Sequence, residues 1–206
     1  AAAVPRPAVP PFPGLDPPVV VPSDVLLSVL RPRDRLASMG GGVIGVELAC
    51  VWAAAGARVT ILEAAPRLLP TLERELGQSL AAQLRQDGVE VFTGAGVTGA
   101  TPGPAVAFTH RGEASRLEAD AVLVATGRRP ATGGLFAGDL LPELERGFLR
   151  VDGQFRTSIP SLSAIGDAIG GATLAHKAGA AARFVADPPP GRTPPPGTAP
   201  PPPPAP

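Results

Sequence analysis

A run of glycines at residues 40–45 constrains the fold of this chain more than any other feature of its sequence. The run reads Gly-Gly-Gly-Val-Ile-Gly and places glycine at all three defined positions of a G-x-G-x-x-G motif. In such a loop Gly40 permits a tight turn, Gly42 lets the backbone approach a pyrophosphate, and Gly45 allows the next helix to pack closely on a strand. That helix directs its N-terminal N–H groups at the phosphates. The segment therefore predicts a dinucleotide site, and the alternative is a glycine-rich turn without a ligand.

The elements around the glycines favour the dinucleotide interpretation. A helix predicted over 44–55 follows at once, and a buried strand over 58–62 follows the helix. Glu63 directly follows that strand, 23 residues after Gly40, where a carboxylate accepts hydrogen bonds from the adenosine ribose hydroxyls of NAD. The same charge would repel the extra phosphate of NADP. Arg67 lies four residues further on and leaves NADP as a disfavoured alternative.

Short apolar runs alternate with helical patterns along the central part of the sequence. Near-continuous apolar strands suit a parallel sheet that is covered on both faces. Residues 94–118 instead show short strands separated by turns, which predict a small antiparallel meander. The predicted fold class is α/β, a Rossmann-like doubly wound parallel sheet with an inserted antiparallel β-meander. The predicted strands cover 35–39, 58–62, 89–92 and 121–125, and the predicted helices cover 44–55 and 72–86.

Three of these elements carry more specific predictions. Strand 35–39 reads Arg-Leu-Ala-Ser-Met and has the weakest support, because it is poor in β-branched residues. Helix 72–86 has leucine at 72, 76, 80 and 84, which predicts one apolar face, and Thr71 is its predicted N-cap. Cys50, on helix 44–55, is interpreted as a small buried hydrophobe.

Proline marks both ends of the predicted globular region. Eight of the 28 prolines lie in residues 1–22 and twelve in residues 188–206. We therefore predict a Pro-rich lead-in over 1–22, an NAD-binding domain over 23–147, a further segment over 148–186 and a disordered Pro-rich tail over 187–206. The tail is interpreted as passive, and the alternative is that it docks into an aromatic-lined groove of a partner.

Charge and cysteine content exclude several classes of function. The chain has 18 basic and 18 acidic residues, which argues against a nucleic-acid or anionic-membrane partner held by bulk electrostatics. No run of 18 apolar residues predicts a membrane helix. A single cysteine, Cys50, rules out an intrachain disulfide. With the arginine-rich composition, these features favour the bacterial cytoplasm, and the alternative is the mitochondrial matrix. We predict no nucleic-acid or membrane partner and name no metal ligand.

Seven short segments form a set of motifs along the chain. They read Gly-Gly-Gly-Val-Ile-Gly-Val-Glu at 40–47, Val-Trp at 51–52, Val-Thr-Gly-Ala at 97–100, Ala-Thr-Gly-Arg-Arg-Pro at 125–130, Thr-Ser-Ile-Pro at 157–160, Ala-Ile-Gly-Asp at 164–167 and Leu-Ala-His-Lys-Ala at 174–178. Together they resemble the middle section of the class I pyridine nucleotide-disulfide oxidoreductases, most closely the dihydrolipoyl dehydrogenases. Mercuric and glutathione reductases usually carry different residues in the last segment, which favours the lipoyl enzymes.

The resemblance implies that residues 148–186 are a C-terminal slice of an FAD-binding domain, and it implies roles for individual residues toward NAD and FAD. Glu47, in the first turn of the helix after the glycines, is similar to a glutamate near the nicotinamide, and Val97 to a valine that touches adenine. Asp167 would accept a hydrogen bond from a ribityl hydroxyl of FAD, and the alternative is that it caps its own loop. Backbone N–H groups near 174–176 would stabilise negative charge on reduced flavin, without the imidazole of His176. The predicted cofactor contacts are Gly40, Gly41, Gly42, Val43, Ile44, Gly45, Val46, Glu47, Glu63, Val97, Gly127, Asp167, Thr173, Leu174, Ala175 and His176.

The reaction of that family defines what the resemblance implies for activity. Electrons pass from dihydrolipoamide through an active-site disulfide to FAD and then to NAD. Two cysteines in a C-x-x-x-x-C arrangement form the disulfide, and a C-terminal dimerisation domain supplies a His-Glu base. Neither pattern is present in these 206 residues. Intact members of the family are homodimers in 2-oxoacid dehydrogenase complexes.

The missing chemistry leads to a specific expectation. We expect a dihydrolipoyl dehydrogenase-like fragment that binds small-molecule dinucleotides, contains no catalytic residue of its own and is inactive alone. One alternative is a non-catalytic dinucleotide-binding module docked to a partner through its Pro-rich tail. Another is a fragment of a related NAD(P)H-dependent disulfide or mercuric reductase. The absence of an initiator methionine favours the fragment over the free-standing module.

Overall fold

The computed structural model of the chain describes residues 6–14, 20–27, 34–101, 105–137 and 140–186. The chain divides into two units, Pro7–Arg128 and Arg129–Pro206 together with Ala1–Arg6. The tail predicted over 187–206, and part of the lead-in predicted over 1–22, lie outside the described residues.

The unit from Pro7 to Arg128 contains two sheets and three helices in its described residues, with short strands at its two boundaries. Its elements are β1 (Arg6–Pro7), β2 (Val20–Pro22), α1 (Ser23–Leu26), β3 (Arg35–Met39), α2 (Val43–Ala54), β4 (Arg58–Glu63), α3 (Arg74–Gln86), β5 (Glu90–Thr93), β6 (Ala95–Thr101), β7 (Ala105–His110), β8 (Glu113–Glu118), β9 (Ala121–Val124) and β10 (Arg128–Arg129). A five-stranded sheet has the order β2-β9-β3-β4-β5, and all its pairs are parallel. The strands β6, β7 and β8 form a separate antiparallel meander. This architecture confirms the predicted fold class.

The central strand β3 forms although its residues have little intrinsic preference for a strand. It pairs with β4 over five positions, from Arg35 opposite Arg58 to Met39 opposite Leu62, and with β9 on its other side. Residues 36–39 are all buried. Pairing on both edges and burial on both faces therefore outweigh the low β-propensity of the sequence.

The two faces of the parallel sheet are covered by different layers. One face packs against α2 and α3, through a helix-side core that includes Leu36, Ile61, Leu123, Leu48 and Trp52. The other face packs against the meander, through a meander-side core that includes Met39, Leu62, Val124, Val106 and Phe108. Successive residues of each strand point to opposite faces, so one apolar strand contributes to both clusters.

The predicted apolar face of α3 is partly wrong. Leu72 and Leu76 are exposed, and the buried residues of the helix are Gly77, Ala81 and Leu84. A leucine every four residues advances about 40° around a helix at each step, so the series does not stay on one face and turns from solvent at Leu76 to the sheet at Leu84. The helix begins at Arg74, with Glu73 rather than Thr71 as its N-cap residue.

The interpretation of Cys50 as a buried residue is also wrong. Cys50 is exposed on α2, and so is its neighbour Val51. The buried face of α2 consists of Gly45, Val46, Leu48, Ala49 and Trp52. Position 50 therefore lies on the side of the helix that faces away from the sheet.

The described part of the other unit has its own apolar core. Its elements are β11 (Leu144–Glu145), β12 (Phe148–Leu149), a 3-10 helix (Gly166–Ile169) and α4 (Ala175–Ala186). The strands β11 and β12 form an antiparallel hairpin. The buried core residues are Leu149, Phe155, Ala164, Ile169, Ala181 and Phe184. Among the helices that the structure describes, none is long and apolar enough to cross a membrane.

Candidate functional site

The glycine loop lies where the order of the parallel strands reverses. From β3 the chain proceeds to β4 and β5 on one side, and later returns to β9 on the other side. The Gly40 N–H donates to the carbonyl of Leu62 at 2.9 Å, and the Ala125 N–H donates to the carbonyl of Met39 at 2.8 Å. The carboxyl ends of β3, β4 and β9 therefore meet at the loop. This is the crevice in which doubly wound sheets bind ligands.

Packing within the chain requires glycine at two of the three motif positions. Gly40 has a φ of 110°, and a Cβ atom there would lie 2.5 Å from the carbonyl oxygen of Ala125. A Cβ atom on Gly45 would overlap the carbonyl oxygen of Gly40. The hydroxyl of Ser38 donates to the Gly45 carbonyl at 3.3 Å and holds the start of α2 against β3. The tight turn and the close packing of helix on strand agree with the sequence prediction for Gly40 and Gly45.

Gly42 differs from these glycines because the packing of the chain does not require a glycine at this position. A Cβ atom on Gly42 would meet nothing within 4 Å. Gly42 is the N-cap residue of α2, and no side chain caps the helix. None of the described residues accepts a hydrogen bond from the N–H groups of Gly42, Val43 or Ile44. Open space therefore adjoins a set of unsatisfied donors at the positive end of a helix dipole.

Glu63 lies beside the loop and binds its backbone. The side chain is 9 % exposed. Its Oε2 atom accepts a hydrogen bond from the Gly41 N–H at 2.5 Å, and its Oε1 atom accepts one from the Ala65 N–H at 2.6 Å. Each carboxylate oxygen has a second lone pair, so Glu63 can still accept hydrogen bonds from a ligand. Its role toward ribose hydroxyls stays a prediction.

Arg67 is held within its own connection. Its guanidinium donates to the carbonyls of Leu72 at 2.7 Å and Pro70 at 2.8 Å. These two bonds restrain the side chain at the turn before α3. Arg67, the residue considered for binding the extra phosphate of NADP, therefore has a local structural role in this turn.

The other predicted residues of this unit lie in several environments. Glu47 is exposed in the second turn of α2, not in the first turn as predicted, because the helix begins at Val43. Val43 is exposed, Ile44 is half-buried, and Val46 packs into the helix-side core. Val97 is buried in the meander-side core. Its role toward adenine stays a prediction.

Gly127 follows the end of β9. It is exposed, with a φ of 123°, and its carbonyl accepts a hydrogen bond from the Ala8 N–H at 2.9 Å. The hydroxyl of Thr126 donates to the Ala8 carbonyl at 2.6 Å. The segment around Ala8 is therefore tied to the carboxyl end of β9.

The predicted flavin contacts belong to the second unit. Asp167 is half-buried in the 3-10 helix, and among the described residues none donates a hydrogen bond to its carboxylate. Thr173 and Leu174 are exposed just before α4, which begins at Ala175 and His176. The N–H of Leu174 donates to the carbonyl of Ala172 at 3.1 Å. A carboxylate that accepts no hydrogen bond from the described residues can accept one from a ribityl hydroxyl, and the positive end of a helix dipole favours a negatively charged flavin oxygen.

Sequence reasoning missed two residues beneath the loop. Leu68 is fully buried, and a Cβ atom on Gly41 would overlap its Cδ2 atom. Leu69 has a φ of 49° and donates its N–H to the Gly41 carbonyl at 2.9 Å. Both lie in the connection between β4 and α3, where the sequence has no periodic pattern that could have identified them.

Comparisons with known proteins agree with this geometry. Residues 3–182 match the family model described as pyridine nucleotide-disulphide oxidoreductase. The chain is 39 % identical over 183 residues to the dihydrolipoyl dehydrogenase of Chlorobaculum tepidum, an alignment that covers 85 % of this chain and 39 % of that protein. It is 42 % identical over 147 residues to the dihydrolipoyl dehydrogenase of Geobacillus stearothermophilus, covering 69 % of this chain and 31 % of that protein.

A solved structure shows the same likeness. The chain superposes on the HOCl-induced flavoprotein disulfide reductase RclA from Escherichia coli with a TM-score of 0.75 and 33 % identity, covering 88 % of this chain and 42 % of the other. The chain therefore spans less than half the length of the relatives that it matches.

Proposed function

Because this chain belongs to the pyridine nucleotide-disulphide oxidoreductase family, we propose that it supplies the NAD site of a dihydrolipoyl dehydrogenase-type flavoprotein. Membership of the family implies FAD and NAD(P) as cofactors. NAD would bind across the glycine loop between β3 and α2, and residues of the second unit would contribute to a flavin site.

The observation that carries this proposal is the open space at Gly42. The packing of the chain explains glycine at positions 40, 41 and 45 but does not explain it at position 42. A pyrophosphate would occupy that space and accept hydrogen bonds from the N–H groups of Gly42, Val43 and Ile44. The positive end of the α2 dipole favours the negative charge of the phosphates.

Glu63 and Arg67 favour NAD over NADP. The Glu63 carboxylate lies within 2.5 Å of the Gly41 nitrogen, so a ribose bound near the loop would meet a negative charge. A 2′-phosphate there would face like-charge repulsion, whereas a free hydroxyl could donate to the carboxylate. Arg67 already donates to the carbonyls of Leu72 and Pro70, which restrains it from reaching such a phosphate.

Residues of the second unit support a contribution to an FAD site. The Asp167 carboxylate would accept a ribityl hydroxyl, and the N–H groups of Ala175 and His176 would face a flavin oxygen. When bound, FAD would relay an electron pair between a dithiol and NAD. The backbone N–H groups and side chains of this chain would hold and orient the two cofactors.

The proposed reaction of the whole protein is oxidation of dihydrolipoamide by NAD⁺. Two thiols lose two electrons and two protons to form a disulfide, NAD⁺ gains a hydride, and one proton is released. The reaction in this family requires two protein cysteines, and this chain has one, Cys50. We therefore propose that the chain by itself binds NAD⁺ but does not oxidise dihydrolipoamide.

The proposed partners follow from the same family relationship. Small-molecule dinucleotides are the ligands that membership supports. A homodimer that serves a 2-oxoacid dehydrogenase complex is the proposed assembly of the whole protein. The cytoplasm is the proposed compartment, on the basis of the arginine-rich composition with one cysteine.

Calorimetric titration of the purified chain with NAD⁺ and NADP⁺ tests the proposal. We expect saturable binding of NAD⁺, and binding of NADP⁺ that is at least about tenfold weaker. Gly42→Ala should abolish NAD⁺ binding, because its methyl group would fill the space of the phosphate. Absence of NAD⁺ binding by a folded sample would overturn the NAD assignment. Oxidation of dihydrolipoamide by the chain alone would overturn the proposed inactivity.

A further inference from the structure

We propose that Leu69 and Gly77, neither of which is a predicted nucleotide contact, are positioning residues that orient the Gly42 N–H toward the phosphate. The inference rests on the proposed dinucleotide site and identifies what holds its loop in shape. The supporting contacts run from α3 through Leu68 and Leu69 to Gly41.

Both backbone polar groups of Gly41 are fixed by the connection that follows β4. Glu63 accepts a hydrogen bond from the Gly41 N–H at 2.5 Å. The Leu69 N–H donates to the Gly41 carbonyl at 2.9 Å. The peptide planes before and after Gly41 are therefore both restrained by partners on the protein side of the loop.

The restraint on the Gly41 carbonyl sets the direction of the next N–H group. The carbonyl of Gly41 and the N–H of Gly42 belong to one planar trans peptide, in which they point in opposite directions. Because Leu69 holds the carbonyl toward the β4–α3 connection, the Gly42 N–H points the other way. None of the described residues accepts that N–H, and the space beside Gly42 is open.

The backbone of Leu69 has an unusual conformation that makes this contact. Its φ of 49° lies in the left-handed region, which residues other than glycine rarely adopt. The side chain of Leu69 is nevertheless 8 % exposed and belongs to the helix-side core. The left-handed backbone of Leu69 therefore delivers its N–H to Gly41, whereas its buried side chain contributes to the stability of the core.

Leu68 and Gly77 form the packing contacts that connect Gly41 to α3. Leu68 is fully buried, and its Cδ2 atom lies so close to Gly41 that a Cβ atom on Gly41 would overlap it. On the other side, a Cβ atom on Gly77 would overlap the carbonyl oxygen of Leu68. Gly77 lies inside α3, where glycine is unfavourable. The close approach to Leu68 supplies the reason for a glycine at that position.

The test compares three variants of the full chain. Gly77→Ala pushes against the Leu68 carbonyl and should disturb the loop. Leu69→Asn keeps the N–H donor and tolerates the left-handed region, but removes a buried leucine side chain. Gly179→Ala is the matched control, because Gly179 lies within α4 and a Cβ atom there would meet nothing within 4 Å.

Two quantities are measured for each variant, with the melting temperature recorded alongside. One is the Kd for NAD⁺ by calorimetry. The other is the amide chemical shift of Gly42 by ¹H–¹⁵N NMR without ligand. We expect Gly77→Ala to raise the Kd by about tenfold and to move the Gly42 resonance. Leu69→Asn should lower the melting temperature while its Kd stays within about twofold of the wild-type value. Gly179→Ala should change neither the Kd nor the Gly42 resonance.

The outcomes separate this inference from the proposed function. Failure of the wild-type chain to bind NAD⁺ would overturn both. Wild-type binding, with an unchanged Kd and Gly42 shift in Gly77→Ala, would overturn the positioning role alone. An equal rise of the Kd in Gly179→Ala would do the same. If Gly77→Ala does not fold, Leu69→Asn provides the test. A Kd raised by about tenfold in Leu69→Asn would overturn the positioning role, because it would show that affinity follows the stability of the protein and not the retained N–H of residue 69.

Discussion

The Oε2 atom of Glu63 accepts a hydrogen bond from the backbone N–H of Gly41 at 2.5 Å, and this contact links the end of β4 to the loop after β3. The same side chain accepts a second backbone N–H, from Ala65, at 2.6 Å. Glu63 therefore stabilises the loop and places a negative charge beside it. A substitution that separates these two effects tests which of them NAD⁺ binding requires.

Glu63→Gln is that substitution. Its amide oxygen can still accept the Gly41 N–H, but the charge is lost and the amide nitrogen cannot accept from Ala65. We expect NAD⁺ binding to weaken by about tenfold, since a hydrogen bond to a charged group is worth about 1.5–3 kcal/mol. The preference for NAD⁺ over NADP⁺ should also decrease, because the repulsion of the 2′-phosphate is removed. Calorimetric titration with both nucleotides measures the two effects.

Glu90→Gln is the matched control for this prediction. Glu90 begins β5, and its carboxylate accepts the hydroxyl of Thr60 at 2.9 Å. The same loss of charge there should leave both affinities unchanged. An unaltered preference for NAD⁺ in Glu63→Gln would contradict the assignment of selectivity to this carboxylate.

Gly45→Ala and Gly42→Ala should have different effects on stability. A Cβ atom at Gly45 would overlap the carbonyl oxygen of Gly40, so we expect a loss of about 1–3 kcal/mol in the free energy of unfolding. At Gly42 a Cβ atom meets nothing, so the expected change is below about 1 kcal/mol. Urea denaturation followed by Trp52 fluorescence measures both. Equal destabilisation by the two substitutions would contradict the distinction between a packing glycine and a ligand glycine.

Much of the fold and the shape of the glycine loop could be predicted, because both produce local patterns in the sequence. The glycine spacing fixed the turn at Gly40 and the helix contact at Gly45, and apolar runs located the parallel strands. The support beneath the loop could not be predicted in this way. The left-handed φ of Leu69 and the close approach of Gly77 to Leu68 arise only when separate segments pack together.

The errors on the helices have a related cause. A leucine repeat suggested that Leu76 faces the core, but the sheet contacts Ala81 and Leu84 instead. Similarly, Cys50 has a side chain of suitable size and polarity for a core, yet lies on the solvent side of α2. Composition and spacing identify which residues could be buried, whereas the position of the sheet decides which of them are.

Arg35 should contribute to stability independently of pH over the working range. Its guanidinium donates to both carboxylate oxygens of Asp120, at 2.8 and 3.2 Å, and also to Glu118. Hydrogen bonds to Asp120, and then to Glu118, raise the pKa of Arg35 further above its ordinary value. A pKa that is raised in the folded state contributes stability when the pH is below the ordinary pKa. That stability is lost only as the pH rises through the raised pKa. Arg35→Lys removes the bidentate geometry and should lower the melting temperature.

The difference in melting temperature between wild type and Arg35→Lys should stay constant from about pH 6 to pH 9, where arginine, lysine and carboxylates all keep their charges. Arg116→Lys is the control, because Arg116 is exposed on β8, and it should leave the melting temperature unchanged. A difference that disappears by about pH 9 would show that a group other than Arg35 carries the effect.

Phe155→Ala should destabilise the second unit without affecting the nucleotide site. Phe155 is fully buried, and its ring centroid lies 6.0 Å from that of Phe184 in the core of that unit. Loss of a buried phenylalanine costs about 3–5 kcal/mol, whereas Leu141→Ala, at a residue 67 % exposed, should cost almost nothing. Ser38, Glu63 and Leu69, which bind the glycine loop and the start of α2, belong to the unit Pro7–Arg128, so the Kd for NAD⁺ should stay within about twofold of the wild-type value. Thermal unfolding and calorimetry measure the two effects, and loss of NAD⁺ affinity in folded Phe155→Ala would show that the site depends on the second unit.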